Sequence, residues 1–442
     1  MQVFYPTVVL IVAVLSAAAA HNRLHAGGVA PFTSEHSARG VIYNTMFAPP
    51  LTNPQDGFGL AVADLDGDAD LDLVLLGRPD GLVGLYENNG LGIFANRSTG
   101  SGIPATLAGC GVAAFDFDAD VEAVQEVFPK CCIHFEDWTG VDAMHLLERY
   151  RNKACVFNDD IQGTAGITLA GMINATKMKG TQLKDEKYLF LGAGSAGIGL
   201  ANLLCSALAQ QGMSLQDAQA RVHMFDVNGL LESTRTDLYD FQKPYAHPHA
   251  PTRNFVEAIE SIKPTTIIGV STIGGAFTKE VIEAMTRINA RPVVLALSNP
   301  TSCAECTPEQ AYTWSNGKAI YAAGVPFAPV HMNGTTFIPG QANNFFIYPA
   351  VAMAIYATEA SRVTDSMFIE AASAVADQVP PELFKQGLMY PPQSNILETE
   401  IKTAARVAKL IFDLGLARVA RPADMEALIR SHVYTPTYPK LV

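Results

Sequence analysis

The sequence predicts an α/β fold whose main part is a doubly wound parallel sheet, preceded by a small all-β segment. From Val121 onward, helical stretches alternate with short apolar strands bounded by glycine, as in KYLFLGAGSAGIGLANLLCSAL, TTIIGV and VVLALSNP. Strands that alternate with helices are typical of a parallel sheet. From His21 to Asp120, short apolar runs are instead separated by Gly, Asn and Asp, which predicts short strands and tight turns. The two patterns meet near residue 120.

The composition agrees with a folded, acidic protein. The 442 residues are enough for several domains at roughly 150 residues each. A net charge of −13, with 17% charged and 49% hydrophobic residues, argues against nucleic-acid binding by bulk charge and against disorder. The seven cysteines are few and odd in number, unlike a disulfide scaffold, so we expect mostly free thiols.

The N-terminus carries an apolar run from Val8 to Ala20 that ends in small residues, VVLIVAVLSAAAA. This pattern predicts a secretory signal peptide over residues 1–20. A signal anchor or a buried apolar segment is the alternative, because the preceding MQVFYPT has no Lys or Arg. No later stretch reaches the roughly 20 uncharged apolar residues of a spanning helix, so no stable membrane span is expected.

An aspartate-rich loop stands out in the all-β segment. In DLDGDADLD, alternate carboxylates surround Gly67, and a turn at this glycine would direct them to one point; they are Asp64, Asp66, Asp68, Asp70 and Asp72. Oxygen ligands in this arrangement suit calcium, the alternative being a solvated acidic turn. The stretch resembles the FG-GAP, or integrin-propeller-like, repeat, with a second onset at GVAAFDFDAD. Residues 21–120 are therefore predicted to form a propeller-blade-like fragment, too short for the four to eight blades of a closed propeller.

A glycine-rich turn follows the apolar strand Tyr188–Leu191 and precedes an apolar helix that runs from Ile198 to about Gln210. Its glycines allow a tight turn and close approach of the backbone to a pyrophosphate at the helix N-terminus. The next strand ends at Asp226, which is placed to accept hydrogen bonds from the adenosine ribose. The pattern predicts a Rossmann-like domain that binds NAD or NADP, with a glycine-rich core turn as the alternative. The turn comprises Gly192, Ala193, Gly194, Ser195, Ala196 and Gly197.

Two pairs of acidic residues follow short apolar strands. Glu136 and Asp137 occur in CCIHFEDW, and Asp159 and Asp160 occur in RNKACVFNDDIQGT. Adjacent carboxylates at strand ends suit Mg or Mn rather than zinc, although solvated loop carboxylates are an equally ordinary explanation. These four residues are therefore candidate metal ligands.

Cys303 and Cys306 form an isolated CxxC, and His247 and His249 in AHPHA are separated by a proline, so neither pair is assigned a role.

The amino-acid sequences of these segments resemble those of malic enzymes. FEDW, NDDIQGT, FLGAGSAGIG, IGVSTIGGAF, ALSNPTSCAEC and FIPGQANNFFIYP occur in that family's order, and the resemblance covers residues 121–442. It implies oxidative decarboxylation of L-malate to pyruvate and carbon dioxide, with NAD or NADP and Mg or Mn. It also implies a substrate-domain remnant at 121–158, a cofactor domain at 159–343, a C-terminal helical part at 344–442, and a homo-oligomer.

The same resemblance assigns residue roles. Glu136, Asp137 and Asp160 would be the metal ligands, with Asp159 in support. Asn299 would hold malate and lie near the nicotinamide, and Asn343 would hold malate.

The resemblance also implies a catalytic Lys and Tyr ahead of FEDW. Residues 21–120 contain only Tyr43 and Tyr86 and no lysine, so we expect impaired activity. The resemblance makes the choice of cofactor depend on a position at Gln242 or Lys243. A lysine there would favour the 2′-phosphate of NADP and a glutamine would favour NAD; the sequence FQKPY is slightly more like the NAD type.

Two other hypotheses compete with an enzyme. One is a secreted calcium-binding interaction module, and the other is a non-functional fusion of two gene fragments. The compartment stays open, because the N-terminus suggests secretion and the malic-enzyme part suggests the cytoplasm or mitochondria.

Overall fold

The computed structural model describes residues 10–11, 60–63, 72–75, 84–88, 94–96, 121, 124–126, 128–136 and 140–433. Of the strands before residue 97 and of residues 140–142, only the backbone is described. The chain divides into two compact units, one made of residues 1–11 with 128–442 and the other of residues 12–127.

The described strands are short. They are β1 Leu10–Ile11, β2 Leu60–Ala63, β3 Asp72–Leu75, β4 Gly84–Asn88, β5 Phe94–Asn96, β6 Ile133–Phe135, β7 Val156–Asn158, β8 Tyr188–Leu191, β9 Val222–Asp226, β10 Gly229–Leu230, β11 Thr266–Gly269, β12 Val293–Ala296, β13 Ile320–Ala323, β14 Val330–Met332, β15 Thr335–Phe337 and β16 Gly340–Gln341.

Helical residues are described at 121 and 124–126 in the smaller unit, and the described α-helices of the larger unit are eleven. They are α1 Gly140–Tyr150, α2 Thr164–Lys179, α3 Ser195–Gln210, α4 Leu215–Gln219, α5 Phe255–Ile262, α6 Lys279–Ile288, α7 Pro308–Trp314, α8 Tyr348–Thr358, α9 Asp365–Asp377, α10 Ile396–Asp413 and α11 Met425–His432. None of the described helices has both the length and the apolarity that a bilayer crossing requires.

A seven-stranded sheet in the order β10-β9-β8-β11-β12-β13-β16 forms the centre of the larger unit. Its strands are parallel except β10, which pairs antiparallel with β9. The chain passes from β8 to β9 on one side and returns to β11 on the other, so the strand order reverses between β8 and β11. Ligands of open parallel sheets bind at such a reversal, beyond the carboxyl ends of the strands. The predicted Rossmann-like α/β fold is confirmed.

Both faces of this sheet are buried, which explains why its strands are continuous apolar runs. Phe190, Ile268 and Leu295 belong to one hydrophobic cluster together with residues of α2, α3, α8, α9 and α10. Leu189, Ile267 and Val294 belong to the other cluster with residues of α5, α6 and α7. Alternate residues of each strand thus serve opposite helical layers.

A smaller parallel sheet in the order β1-β6-β7 carries the residues around FEDW and NDD. Leu10 pairs with Ile133, and Ile133 pairs with Val156. The rest of the apolar run from Val8 to Ala20 lies outside the described residues, so the signal peptide stays a prediction. Six of the seven cysteines lie within the described part of the chain and all six are free thiols.

The other unit contains a four-stranded antiparallel sheet in the order β2-β3-β4-β5, in which each strand pairs with the next along the chain. Four of the five calcium-ligand candidates, Asp64, Asp66, Asp68 and Asp70, lie outside the described residues, and Asp72 is described only as the first backbone position of β3. The calcium site stays a prediction.

Candidate functional site: a glycine-rich turn beside a buried carboxylate cluster

The glycine-rich turn lies at the carboxyl end of β8, where the strand order reverses. Gly192 has a φ of 118°, a conformation that favours glycine, and its N–H donates to Phe225 O at 2.8 Å. A Cβ at Gly192 would lie 2.4 Å from Val270 O, the residue that follows β11. The turn is therefore wedged between β9 and β11 and admits no side chain at this position.

The start of α3 faces open space. Gly194 precedes the helix, is exposed, and a Cβ there would meet nothing within 4 Å. Gly197 lies on the inner side, where a Cβ would be 2.6 Å from Gly192 O. The N–H groups at the start of a 16-residue helix and the adjacent open space suit a pyrophosphate.

Gln242 fixes the glycine-rich turn by a hydrogen bond to its backbone. Its buried side chain donates from Nε2 to Ala193 O at 2.9 Å. Lys243 is exposed, and its ammonium group pairs with Asp240, which is more exposed still. The two neighbouring side chains therefore differ in role, since Gln242 is used internally and Lys243 forms an ion pair at the surface.

Asp226, at the end of β9, is engaged by Arg235. Two nitrogens of the guanidinium donate to the two carboxylate oxygens at 2.9 and 2.8 Å. Arg235 also donates to Asp237, and these contacts raise the pKa of the guanidinium above its usual range. A cleft of about 520 Å³ lies here, lined in part by Arg235 and Arg253. A ribose would have to share Asp226 with a fixed cation.

The acidic cluster lies at the ends of β6 and β7. Atoms of His134, Glu136 and Asp159 that could bind a metal lie within 4.8 Å of one another. His134 Nε2 donates to Asp159 Oδ1 at 2.6 Å, and its ring stacks on Phe157 at a centroid distance of 4.4 Å. The imidazole is thereby fixed on both its face and its edge.

Asp159 is almost completely buried yet keeps an acidic character. Burial raises the pKa of its carboxyl group, but hydrogen bonds with His134 and Glu136 outweigh burial and hold the pKa below its usual range. Its second oxygen accepts a hydrogen bond from Asn344 Nδ2 at 2.8 Å. Close by, burial and the charges of Asp159 and Glu136 raise the pKa of Tyr348.

A π-helical turn, Asp159–Gly163, joins this cluster to the cofactor helix. It begins at Asn158, whose Oδ1 accepts from Ile161 N at 2.8 Å. A Cβ at Gly199 in α3 would lie 2.4 Å from Ile161 Cγ2, and one at Gly163 would lie 3.3 Å from Asn344 Cβ. The turn therefore packs directly against both the glycine-rich helix and the segment after β16.

The two predicted amides lie just beyond the carboxyl ends of two parallel strands of the large sheet. Asn299 follows β12 and is exposed, and Asn343 follows β16, where its Oδ1 accepts from Phe345 N at 3.1 Å. The loop before Asn299 is held by the fully buried Glu305, whose carboxylate accepts from Ser298 Oγ at 2.6 Å and from Ser271 N at 3.0 Å.

The structure brings only part of the predicted metal set together. Glu136 and Asp159 meet, Asp160 is half-buried in the π-helical turn, and Asp137 lies outside the described residues. Sequence reasoning missed His134, Asn344, Arg235 and Glu305. His134 lies in β6, two residues before Glu136, which directly follows that strand, and this spacing was the one available signal, because residues two apart in extended chain lie on the same face.

Comparison with known proteins agrees with this geometry. Residues 161–412 match the family model described as the malic enzyme NAD binding domain. The chain is 47% identical over 312 residues to the chloroplastic NADP-dependent malic enzyme of Flaveria pringlei, a match that covers 70% of this chain and 48% of the relative. It is 46% identical over 312 residues to the NADP-dependent malic enzyme of Vitis vinifera, covering 70% and 53%. The chain thus spans about half the length of these relatives.

Solved structures give the same fold. The Entamoeba histolytica malic enzyme superposes with a TM-score of 0.57 at 24% identity, covering 73% of this chain and 65% of the other. The malic enzyme from Pyrococcus horikoshii Ot3 gives the same score and identity and covers 73% and 71%. With a family model over more than half of its length and a glycine-rich turn beside the acidic cluster, the chain belongs to the malic enzyme family through its NAD-binding domain.

Proposed function

We propose that this chain binds NADP and a divalent cation and acts on L-malate by oxidative decarboxylation. The observation that carries the proposal is the π-helical turn, which packs Asp159 and the acidic cluster against the same helix that starts at the glycine-rich turn. A substrate bound at the cluster would lie next to a nicotinamide bound along β8 and β11.

The acidic cluster fits a magnesium or manganese ion. Its metal donors are the carboxylate oxygens of Glu136 and Asp159, while His134 Nε2 donates its hydrogen to Asp159 and holds that carboxylate in place. Glu136 and Asp159 would hold the ion, together with the Asp137 and Asp160 that the family resemblance implies. The chemistry that such an ion supplies when bound is neutralisation of negative charge on the substrate oxygens.

The reaction converts malate in three steps. A hydride leaves C2 for the nicotinamide as the C2 hydroxyl loses its proton, the C4 carboxylate leaves as carbon dioxide while the electrons of the C3–C4 bond form an enolate, and a proton added at C3 gives pyruvate. Asn299 and Asn343 would hold the remaining carboxylate. Residues 21–120 contain no lysine to act as the family's base, and loss of a positioned acid or base costs about 10²- to 10⁴-fold each. We therefore expect slow malate turnover by this chain alone.

NADP rather than NAD is the cofactor that the side chains favour, which reverses the preference drawn from FQKPY. Gln242 is turned inward to Ala193, so the exposed Lys243 is the residue that can meet the 2′-phosphate. Arg235 neutralises Asp226, whose charge would otherwise repel that phosphate. The two relatives compared above are both NADP-dependent by name.

Calorimetric titration of the full chain with NADP and with NAD tests cofactor choice. We expect Lys243→Gln to weaken NADP binding about tenfold, the loss of one charge-assisted contact of about 1.4 kcal/mol, and to leave NAD binding unchanged. Lys279→Gln, at a surface ion pair of α6, is the matched control. Equal weakening of both cofactors by Lys243→Gln would refute the assignment.

Malate turnover is tested by NADPH formation with malate and Mn²⁺, following absorbance of the reduced nicotinamide. The expected result is a slow malate-dependent rate that Glu136→Gln abolishes. No rate above the blank, with NADP and Mn²⁺ both bound, would limit this chain to ligand binding.

For residues 21–120 we propose a calcium-binding β-repeat. Support comes from the antiparallel sheet β2-β3-β4-β5 and from the aspartates that the sequence places between β2 and β3. Calcium should raise the melting temperature of the full chain, and Asp66→Ala should remove that shift; an equal shift in the variant would refute the site.

A further inference from the structure

A buried carboxylate lies between the loops that follow β11 and β12. Glu305 is fully buried, and a Cβ at Gly269 in β11 would lie 2.3 Å from its Cδ, so the carboxyl group fills the space beside the end of that strand. A charged group in such a place is costly unless polar groups surround it. The proposed malate chemistry gives this carboxylate no task, so its burial has another explanation.

Two serines surround the carboxylate with hydrogen-bond donors. Ser298 donates from Oγ to Glu305 Oε1 at 2.6 Å and from N to Oε2 at 3.3 Å. Ser271 donates from Oγ and from N to Oε1, both at 3.0 Å. Since an ionised carboxylate can only accept hydrogen bonds, each serine hydroxyl directs its hydrogen to Glu305 and keeps its lone pairs for other donors.

Those lone pairs accept the backbone N–H groups of two consecutive residues after β11. Thr272 N donates to Ser298 Oγ at 2.9 Å, and Ile273 N donates to Ser271 Oγ at 3.2 Å. The two hydroxyl groups therefore form a relay that connects Glu305 to the backbone of this loop.

The loop, residues 271–273, has a conformation that needs such support and is called the β11 loop below. Thr272 has a φ of 58°, in the left-handed region that a β-branched residue rarely adopts. Strain of this kind persists only where surrounding contacts hold it, and it is concentrated at ligand-binding and active sites. Without the hydroxyl group of Ser298, we expect Thr272 to leave this conformation.

The β11 loop lies beside the glycine-rich turn. A Cβ at Gly192 would lie 2.4 Å from the carbonyl oxygen of Val270, which directly precedes the loop. With the adenosine ribose at Asp226 on the side of β9, a dinucleotide that crosses the reversal of strand order places its nicotinamide half over β11 and β12. The side chain of Ile273 is 56% exposed there and offers an apolar surface to the nicotinamide.

We propose that Glu305 is a positioning residue for the cofactor, which acts through the hydroxyl groups of Ser271 and Ser298 to hold the β11 loop in the shape that receives the nicotinamide half of NADP. The inference rests on the proposed function, because it requires NADP at the glycine-rich turn. A loop that already has its bound shape gives tighter binding, because less ordering is needed on association. The adenosine half of the cofactor lies on the side of β9 and does not depend on the relay.

Ser298→Ala tests the relay, because it removes the hydroxyl group between Glu305 and Thr272 while three other donors to the carboxylate remain. The full chain is titrated by calorimetry with NADP and with adenosine 2′,5′-bisphosphate, which carries only the adenosine half. We expect NADP binding to weaken roughly tenfold and binding of the bisphosphate to stay unchanged. Ser315→Ala is the matched control and should leave both affinities unchanged, since Ser315 is also buried and its Oγ accepts from Ala319 N at 3.0 Å.

Hydrogen–deuterium exchange of the free chain gives a second readout that needs no cofactor. In Ser298→Ala, the amide of Thr272 should exchange faster because its acceptor is lost. The amide of Phe277, which donates to Glu305 O at 2.9 Å, should exchange as in the wild type. Ser315→Ala should exchange like the wild type at both amides.

Wild-type NADP affinity in Ser298→Ala, or an equal loss of NADP and bisphosphate binding, would overturn the inference and leave the proposed function intact. Unchanged exchange at Thr272 would overturn it as well. A wild-type chain that binds neither ligand would refute the proposed function, and this role of Glu305 with it.

Discussion

Asp159 combines deep burial with a carboxyl group that stays charged. Its two oxygens accept hydrogen bonds from His134 and Asn344, which lie on different elements of the chain. A buried carboxylate is costly unless such donors are present. These donors fix the carboxylate of Asp159 beside Glu136, whereas the Asp160 implied by the family resemblance is not part of this group in the structure.

Asp159→Asn should weaken Mn²⁺ binding at least about tenfold, because the amide keeps the shape but removes one of the negative charges of the cluster. Mn²⁺ binding can be followed by electron paramagnetic resonance of the free ion. Asp413→Asn, at the exposed end of α10, is the matched control. Asp160→Asn tests the ligand that the family resemblance implies; unchanged affinity in Asp159→Asn together with a loss in Asp160→Asn would favour that ligand set.

Glu400 makes the free energy of unfolding depend on pH. Burial raises the pKa of its carboxyl group from 4.5 to about 7, so the folded chain holds a proton that the unfolded chain releases. This contribution to the free energy of unfolding is therefore largest below about pH 4.5 and declines as the pH rises to about 7. Glu400→Gln should be more stable than wild type near pH 8 and similar near pH 4.5, as measured by urea unfolding.

The exposed Glu382→Gln variant is the control for this measurement. A stability difference for Glu400→Gln that is the same at both pH values would show that the carboxyl group does not titrate between them.

At the scale of elements, the strand, turn and helix of the cofactor site were predictable from the sequence. β8 matches the predicted Tyr188–Leu191, and α3 ends at the predicted Gln210, because an apolar run between glycines leaves few other solutions. The π-helical turn Asp159–Gly163 was not predictable, since its acidic residues read as a strand-end loop. Its conformation depends on packing against Gly199 and Asn344, which are distant in the sequence.

The glycines of the turn give a matched pair of variants. Gly197→Ala should lower the free energy of unfolding by about 1–3 kcal/mol, because its Cβ would press on Gly192 O at 2.6 Å. Gly194→Ala should fold with wild-type stability, since nothing lies within 4 Å, but should bind NADP more weakly because the new methyl group occupies the space in front of α3. Urea unfolding and NADP titration separate the two effects.

Wild-type NADP affinity in Gly194→Ala would contradict this placement of the pyrophosphate.

At the scale of the whole molecule, cofactor binding should be visible as stability. NADP at about 100 times its dissociation constant should add about 2.7 kcal/mol to the free energy of unfolding, since it binds only the folded chain. We expect a rise of several degrees in the melting temperature by calorimetry. NAD at the same concentration should give a smaller rise, and Lys243→Gln should reduce the NADP effect. No shift with either cofactor would argue against a formed dinucleotide site.

Sequence reasoning is confirmed for the sheet of the larger unit, whereas the calcium loop in residues 12–127 stays a prediction. The Rossmann-like sheet was predictable because its strands and helices alternate, and each of them has a clear local pattern of apolar residues in the sequence. Contacts such as Arg235 on Asp226 or His223 beside His249 depend on how distant segments meet, and no spacing rule encodes them.

The two edges of the large sheet have a consequence for the protein in a crowded solution. β10 and β16 are the edge strands of the large sheet, and each is only two residues long. Open strand edges are where other chains add by backbone hydrogen bonding, and short edges offer them little to pair with. β10 and β16 are thereby poorly suited to recruit a further strand from a neighbouring molecule.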